Sequence, residues 1–135
     1  MRYLMMVIND KDSQLVKDYE AGLPMDSRLQ EAIGKHSEAM FKAGILLEVG
    51  GLLPESKGVR VRANSGKLVV TDGPFIESKE LLGGYGILKA DTRDEAIELG
   101  KTFLQIHVDI LGPAYNGVLE IREMFDPPNM PCQQP

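Results

Sequence analysis

Seven side chains in this 135-residue chain stand out as groups that could hold a ligand or move a proton. Asp72 opens a sharp reversal, Asp72-Gly73-Pro74-Phe75, and Glu77, Lys79 and Glu80 follow close behind. A carboxylate there could serve as general acid or base. It could also be a turn acid whose oxygens accept the N–H groups of the next residues, with Gly73 free to take positive φ and Pro74 fixing its own. Glu77 and Lys79 lie two apart. On an extended segment they share a face and could bracket a polar ligand, whereas in a loop they form a solvated pair worth little. Glu48 sits between Leu47 and Val49 in an apolar run, where a carboxylate could work as acid or base or reach water at an edge. Arg60 and Arg62 alternate with Val59 and Val61, so they could grip a carboxylate or phosphate, or form the wet face of a hairpin.

Other groups offer less. His36 and His107 fall on apolar helix faces and read as core histidines with one hydrogen bond each. No ligand spacing for a metal is visible, so neither metal nor other cofactor is expected. Gly83, Gly84 and Gly86 lack the strand-then-helix setting and the Lys-Ser/Thr pair of a phosphate loop. Cys132 lies in a polar tail with no base nearby.

The elements that must position these groups follow from periodicity. Tyr3 to Ile8 predicts a first, central strand, and Asn9 to Pro24 a loop with one short helical turn around Leu15 to Tyr19. Ser27-Arg28-Leu29-Gln30 fits a capping box opening a helix that runs to about Ala43 and stops at Gly44. Its inner face carries Leu29, Ile33, His36, Met40 and Ala43. Ile45 to Leu53 predicts a second strand. Val59 to Arg62 and Lys67 to Thr71 form a hairpin around Asn64-Ser65-Gly66, with Leu68-Val69-Val70 read as a buried strand. Gly83 to Ala90 is another strand. Thr92-Arg93-Asp94-Glu95 is a second capping box, opening a helix to about Ile110 that ends at Gly112-Pro113. Val118 to Met124 is the last strand. The order predicts an α+β protein: a ferredoxin-like sandwich, mostly antiparallel, with two helices on one face. The other sheet face lacks a cover, and dimerisation through it is the simplest remedy. Residues 1–125 read as one domain and 126–135 as a proline-rich tail.

Composition narrows the function. With 20 acids against 15 bases the net charge is −5, which excludes a general nucleic-acid binder and argues against an anionic membrane surface. No run approaches membrane-spanning length, and Leu4 to Ile8 is too short for a signal-peptide core. One cysteine allows no intrachain disulfide, which suits the cytoplasm.

Asp72-Gly73-Pro74-Phe75, followed by Glu77-Ser78-Lys79-Glu80 and Leu82-Gly83-Gly84-Tyr85, resembles the DGPF family of YCII-related proteins. The resemblance extends from Met1-Arg2-Tyr3 through Lys42-Ala43-Gly44 and Ser56-Lys57-Gly58 to Glu120-Ile121-Arg122. It implies a ferredoxin-like fold pairing as a dimeric α/β barrel. It also implies a role that is mostly uncharacterised, with some relatives resembling small-molecule enzymes that carry an Asp and a His near a cleft. This chain departs from the pattern where the family often reads Gly-Glu-Gly-Leu-His-Pro: the acid is Gly50 and the histidine is Leu53. Glu48, two residues earlier on the same strand face, is a candidate replacement. Gly86 stands where a bulky aromatic is common, so a pocket could open there or be filled by neighbouring Met or Leu.

Two functions follow as expectations. In the first, a homodimer binds or converts a small polar molecule in a cleft by carboxylate chemistry. Asp72, Glu48 and Glu77 would do the catalytic work, and Asp72, Lys79, Arg62 and Tyr85 would contact the ligand. In the second, the protein is a non-catalytic regulatory or interaction module engaging a partner through its surface or tail, and the family resemblance implies a link to extracytoplasmic-function sigma-factor signalling.

Overall fold

The computed structural model describes residues 1–126. Its elements run β1 (Arg2–Asp10), α1 (Gln14–Glu20), α2 (Ser27–Lys42), β2 (Leu46–Gly51), a 3-10 turn (Glu55–Lys57), β3 (Val59–Asn64), β4 (Lys67–Asp72), β5 (Glu80–Lys89), α3 (Arg93–Leu111) and β6 (Val118–Glu123). An antiparallel sheet of order β2-β5-β1-β6 carries α2 and α3 on one face, which is the ferredoxin-like arrangement. The proposed tail and Cys132 lie outside the described residues, apart from Asp126.

Local chemistry sets the element ends. Thr92 Oγ1 accepts the Glu95 N–H at 3.1 Å, as the capping box requires, while the Glu95 carboxylate reaches one residue further back to the Asp91 N–H at 2.7 Å. At α2 the cap is Asp26 rather than Ser27. Its carboxylate takes the Arg28 N–H at 2.9 Å, and the Arg28 guanidinium holds the same group at 2.9 Å. Those Arg28 contacts, side chain first and then backbone, lower the Asp26 carboxyl to about 2. Gly44 and Gly112 end their helices with φ of +73° and +79°. The segment after β1 is a seven-residue helix rather than a single turn, because the Ser13 hydroxyl caps it and Val16 anchors it in the core.

The core gathers Tyr3, Met5, Leu46, Leu88, Ala90 and Ala96, with Met40, Leu99, Leu119 and Ile121 packed against it. Gly100 brings α3 onto β6, since a Cβ there would lie 2.7 Å from Ile121. The largest departure from expectation is the hairpin. Among the described residues β3 and β4 pair only with each other, and Leu68, Val69 and Val70 are 75%, 49% and 66% exposed rather than buried. Strand propensity and the turn fix the hairpin, but a two-stranded ribbon has no second layer of its own.

Candidate functional site

The reversal at Asp72 is built by a neighbour. Asp72 ends β4 opposite Val59 and its side chain is exposed. The carboxylate that accepts the loop's backbone is Glu55, which takes the Phe75 N–H at 2.6 Å. Glu55 also binds the Lys11 amino group at 2.7 Å, and Lys11 in turn donates to the Phe75 carbonyl at 2.7 Å. Glu20 fixes the Glu55 backbone by accepting its N–H at 3.1 Å. The Gly73 N–H donates to the Gly58 carbonyl at 2.8 Å, and a Cβ at Gly73 would collide with the Glu55 carbonyl. The Gly73–Pro74 peptide is cis, and Phe75 is buried. Lys11 and Glu55 therefore hold the motif in place, and neither stood out in the sequence. The signal for Glu55 was its place beside Ser56-Lys57-Gly58, but a pairing across 44 residues leaves no local pattern.

Glu77 and Lys79 do not pair. Glu77 Oε1 instead accepts from Arg60 at 2.9 Å and Arg62 at 2.8 Å. Its carboxyl is held below the ordinary carboxylate value, first by its own backbone N–H and then by Arg62 and Arg60. Arg60 also stacks on the Phe75 ring, 3.9 Å from its centroid. This triad ties the hairpin to the Asp72–Phe75 loop and occupies the cations that an anionic ligand would need. Lys79 is exposed, and its backbone carbonyl accepts the Lys11 N–H at 3.1 Å.

Glu48 and Tyr85 form a different pair. Alternation along β1 sends Met5 and Val7 toward the helices and Leu4, Met6 and Ile8 to the opposite face. Cross-strand partners share a face, so Tyr85 (opposite Met6) and Ile87 (opposite Leu4) lie on that open side. Glu48 faces Ile87 and Gly50 faces Tyr85 across β2 and β5. The Tyr85 ring lies over Gly50, where any Cβ would sit 2.6 Å from the ring, and its hydroxyl donates to Glu48 Oε2 at 2.9 Å. The Glu48 hydrogen bond and charge raise the Tyr85 phenol above 10, so it stays protonated and donating. The residue in place of the family acid, Gly50, is thus the slot through which Tyr85 reaches Glu48.

His107 is buried, as the helix pattern predicts. Its Nδ1 lies 3.0 Å from the Phe103 carbonyl and its ring stacks on Tyr115 at 5.2 Å. His36 instead borders a cavity between the helices and the sheet, floored by Gly84 and Gly86. Leu46 and Leu88 approach Gly86 to within about 3.6 Å of an ideal Cβ without closing the space. Among the described residues no cluster of His, Cys, Asp or Glu has the geometry to hold a metal. No described helix is long and apolar enough to cross a membrane.

The structure thus brings together Glu48 with Tyr85, and Glu77 with Arg62. Asp72 and Lys79 stand apart from both pairs. A family model for the YCII-related domain matches residues 1–103. An uncharacterized protein of Rhizobium meliloti (strain 1021) is 28% identical over 101 residues, covering 75% of this chain and 78% of that protein.

Proposed function

The chain belongs to the YCII-related family, and on that footing we propose that it works as a homodimer binding a small polar molecule at the Glu48–Tyr85 pair. The carrying observation is the Tyr85 hydroxyl donating to Glu48 at 2.9 Å on the sheet face opposite α2 and α3. Leu4, Met6 and Ile87 share that face by register, with Glu120 opposite Met6 and Arg122 opposite Leu4. A second copy laid against them buries this apolar surface and closes the barrel. It also encloses a carboxylate that can accept a ligand proton and a phenol that can orient the ligand. Asp72 and Glu77 then act at a distance, by shaping the loop and hairpin beside β5, and Lys79 and Arg62 are not needed at the ligand. The single cysteine fits a reducing cytoplasm.

The test is ligand-observed NMR with a panel of small hydroxy acids, amides and alcohols on the wild type and Glu48→Gln. At least one compound should bind the wild type and weaken about ten-fold in the variant, the effect of losing one charge-assisted hydrogen bond. If both proteins treat every compound alike, the reading fails.

A further inference from the structure

The cavity between the two long helices and the sheet lies on the opposite side of the sheet from Glu48. Its volume is about 220 Å³. A void of roughly 150 Å³ lined by Leu, Ile and Phe stays dry and admits benzene, so this one has room for a somewhat larger apolar guest. Its walls are apolar, with Met5 and Met40 thioethers and the Phe103 ring among them. Thioethers and ring edges favour aromatic guests. The space persists because Gly84 and Gly86 present bare backbone where strand side chains would otherwise fill it.

His36 and Ser37 are polar residues of α2 that line this interior, and His36 is the one that carries an aromatic ring. His36 borders the cavity, half-buried, with its ring centroid 6.4 Å from that of Phe103. Burial alone perturbs it, and it does so downward, which fits a neutral ring with one nitrogen able to accept and one able to donate. Among the described residues no side chain or backbone group hydrogen-bonds the His36 ring, so its nitrogens are available to a ligand hydroxyl.

We propose that this cavity binds a small aromatic molecule of one or two rings bearing a single hydroxyl, with the ring among Met5, Met40 and Phe103 and the hydroxyl hydrogen-bonded to His36. The cavity lies within one protomer on the helix side of the sheet, and Gly50 and Tyr85 border it as well as the Glu48 site.

The experiment uses the 135-residue chain with ¹³C-methyl methionine, titrated with 2-naphthol and, separately, with naphthalene. The Met5 and Met40 methyl signals should shift on binding, and the Met6 signal, on the open face, should stay. Binding of 2-naphthol should be roughly 2- to 12-fold tighter than that of naphthalene, the range for one net hydrogen bond. His36→Leu should erase that preference. Gly86→Leu, whose first side-chain carbon meets its neighbours at an ordinary 3.5 Å or more, should fill the space and abolish binding of both. The proposal is overturned if no methionine moves, if Met6 moves in place of Met5 and Met40, if the preference survives His36→Leu, or if a folded Gly86→Leu binds as the wild type does.

Discussion

The Glu55 carboxylate accepts the backbone N–H of Phe75 at 2.6 Å. The same carboxylate neutralises Lys11, which also caps the Phe75 carbonyl, so both backbone groups of Phe75 are held from outside its own loop. The Glu55 side chain is only 8% exposed, which separates this pair from an ordinary surface ion pair. Glu55→Ala should cost about 2–4 kcal/mol, because it strands the Lys11 amino group and the Phe75 N–H. Urea unfolding measures it, and a loss below that of a solvent-exposed pair would show that water replaces the carboxylate.

Gly73→Ala tests the same contact from the other side. Its Cβ would strike the Glu55 carbonyl, a backbone atom with little freedom to yield. Overpacking of this kind costs about 1–3 kcal/mol. The amide signals of residues 55–58 and 73–75 should move together in a ¹⁵N spectrum, while those of α3 stay in place.

Glu48 keeps Tyr85 protonated by accepting a hydrogen bond from its hydroxyl and by repelling a phenolate. The Tyr85 phenol should therefore titrate above 10 in the wild type and move back toward 10 in Glu48→Gln. Ultraviolet difference titration of the two proteins reads this directly, with Tyr85→Phe identifying the transition.

Ile87 lies on the open face opposite both Leu4 and Glu48. A charge there cannot be buried against a second copy without severe desolvation. On the proposed dimer, Ile87→Asp should halve the mass seen by light scattering relative to the wild type, with an unchanged circular dichroism spectrum.

Burial lowers the pKa of His107 from its ordinary 6.5. The unfolded chain then binds a proton that the folded chain refuses, so stability is complete above pH 6.5 and is lost as the pH falls from 6.5 toward the folded value. His36 is shifted the same way and adds to the slope. Thermal melts between pH 8 and 5 should show the decline, and His107→Leu should flatten it.

Much of the architecture was legible in the chain. Thr92 and Glu95 announce the start of α3, Gly44 and Gly112 announce helix ends, and apolar alternation marks the strands. These signals act over a few residues, through backbone hydrogen bonds and φ preferences, so they are written locally. The histidine at position 107 was likewise legible from its helical spacing. Glu48 was visible as an acid in an apolar strand, because a polar residue breaks a local pattern.

Partnerships across the chain were not legible. Glu77 and Lys79 could bracket a ligand or pair, and Glu77 meets Arg60 and Arg62; Asp72 could act as acid or base or hold its own turn, and Glu55 holds the turn. Leu68, Val69 and Val70 carry the composition of a buried strand, yet they are exposed because burial depends on a second layer. By itself the sequence determined the elements, their order and the family, since those rest on short-range sterics and hydrogen bonding. The tertiary structure decided which carboxylate meets which donor, and left a cavity on one side of the sheet and Glu48 on the other. Those outcomes depend on register and packing between segments up to tens of residues apart.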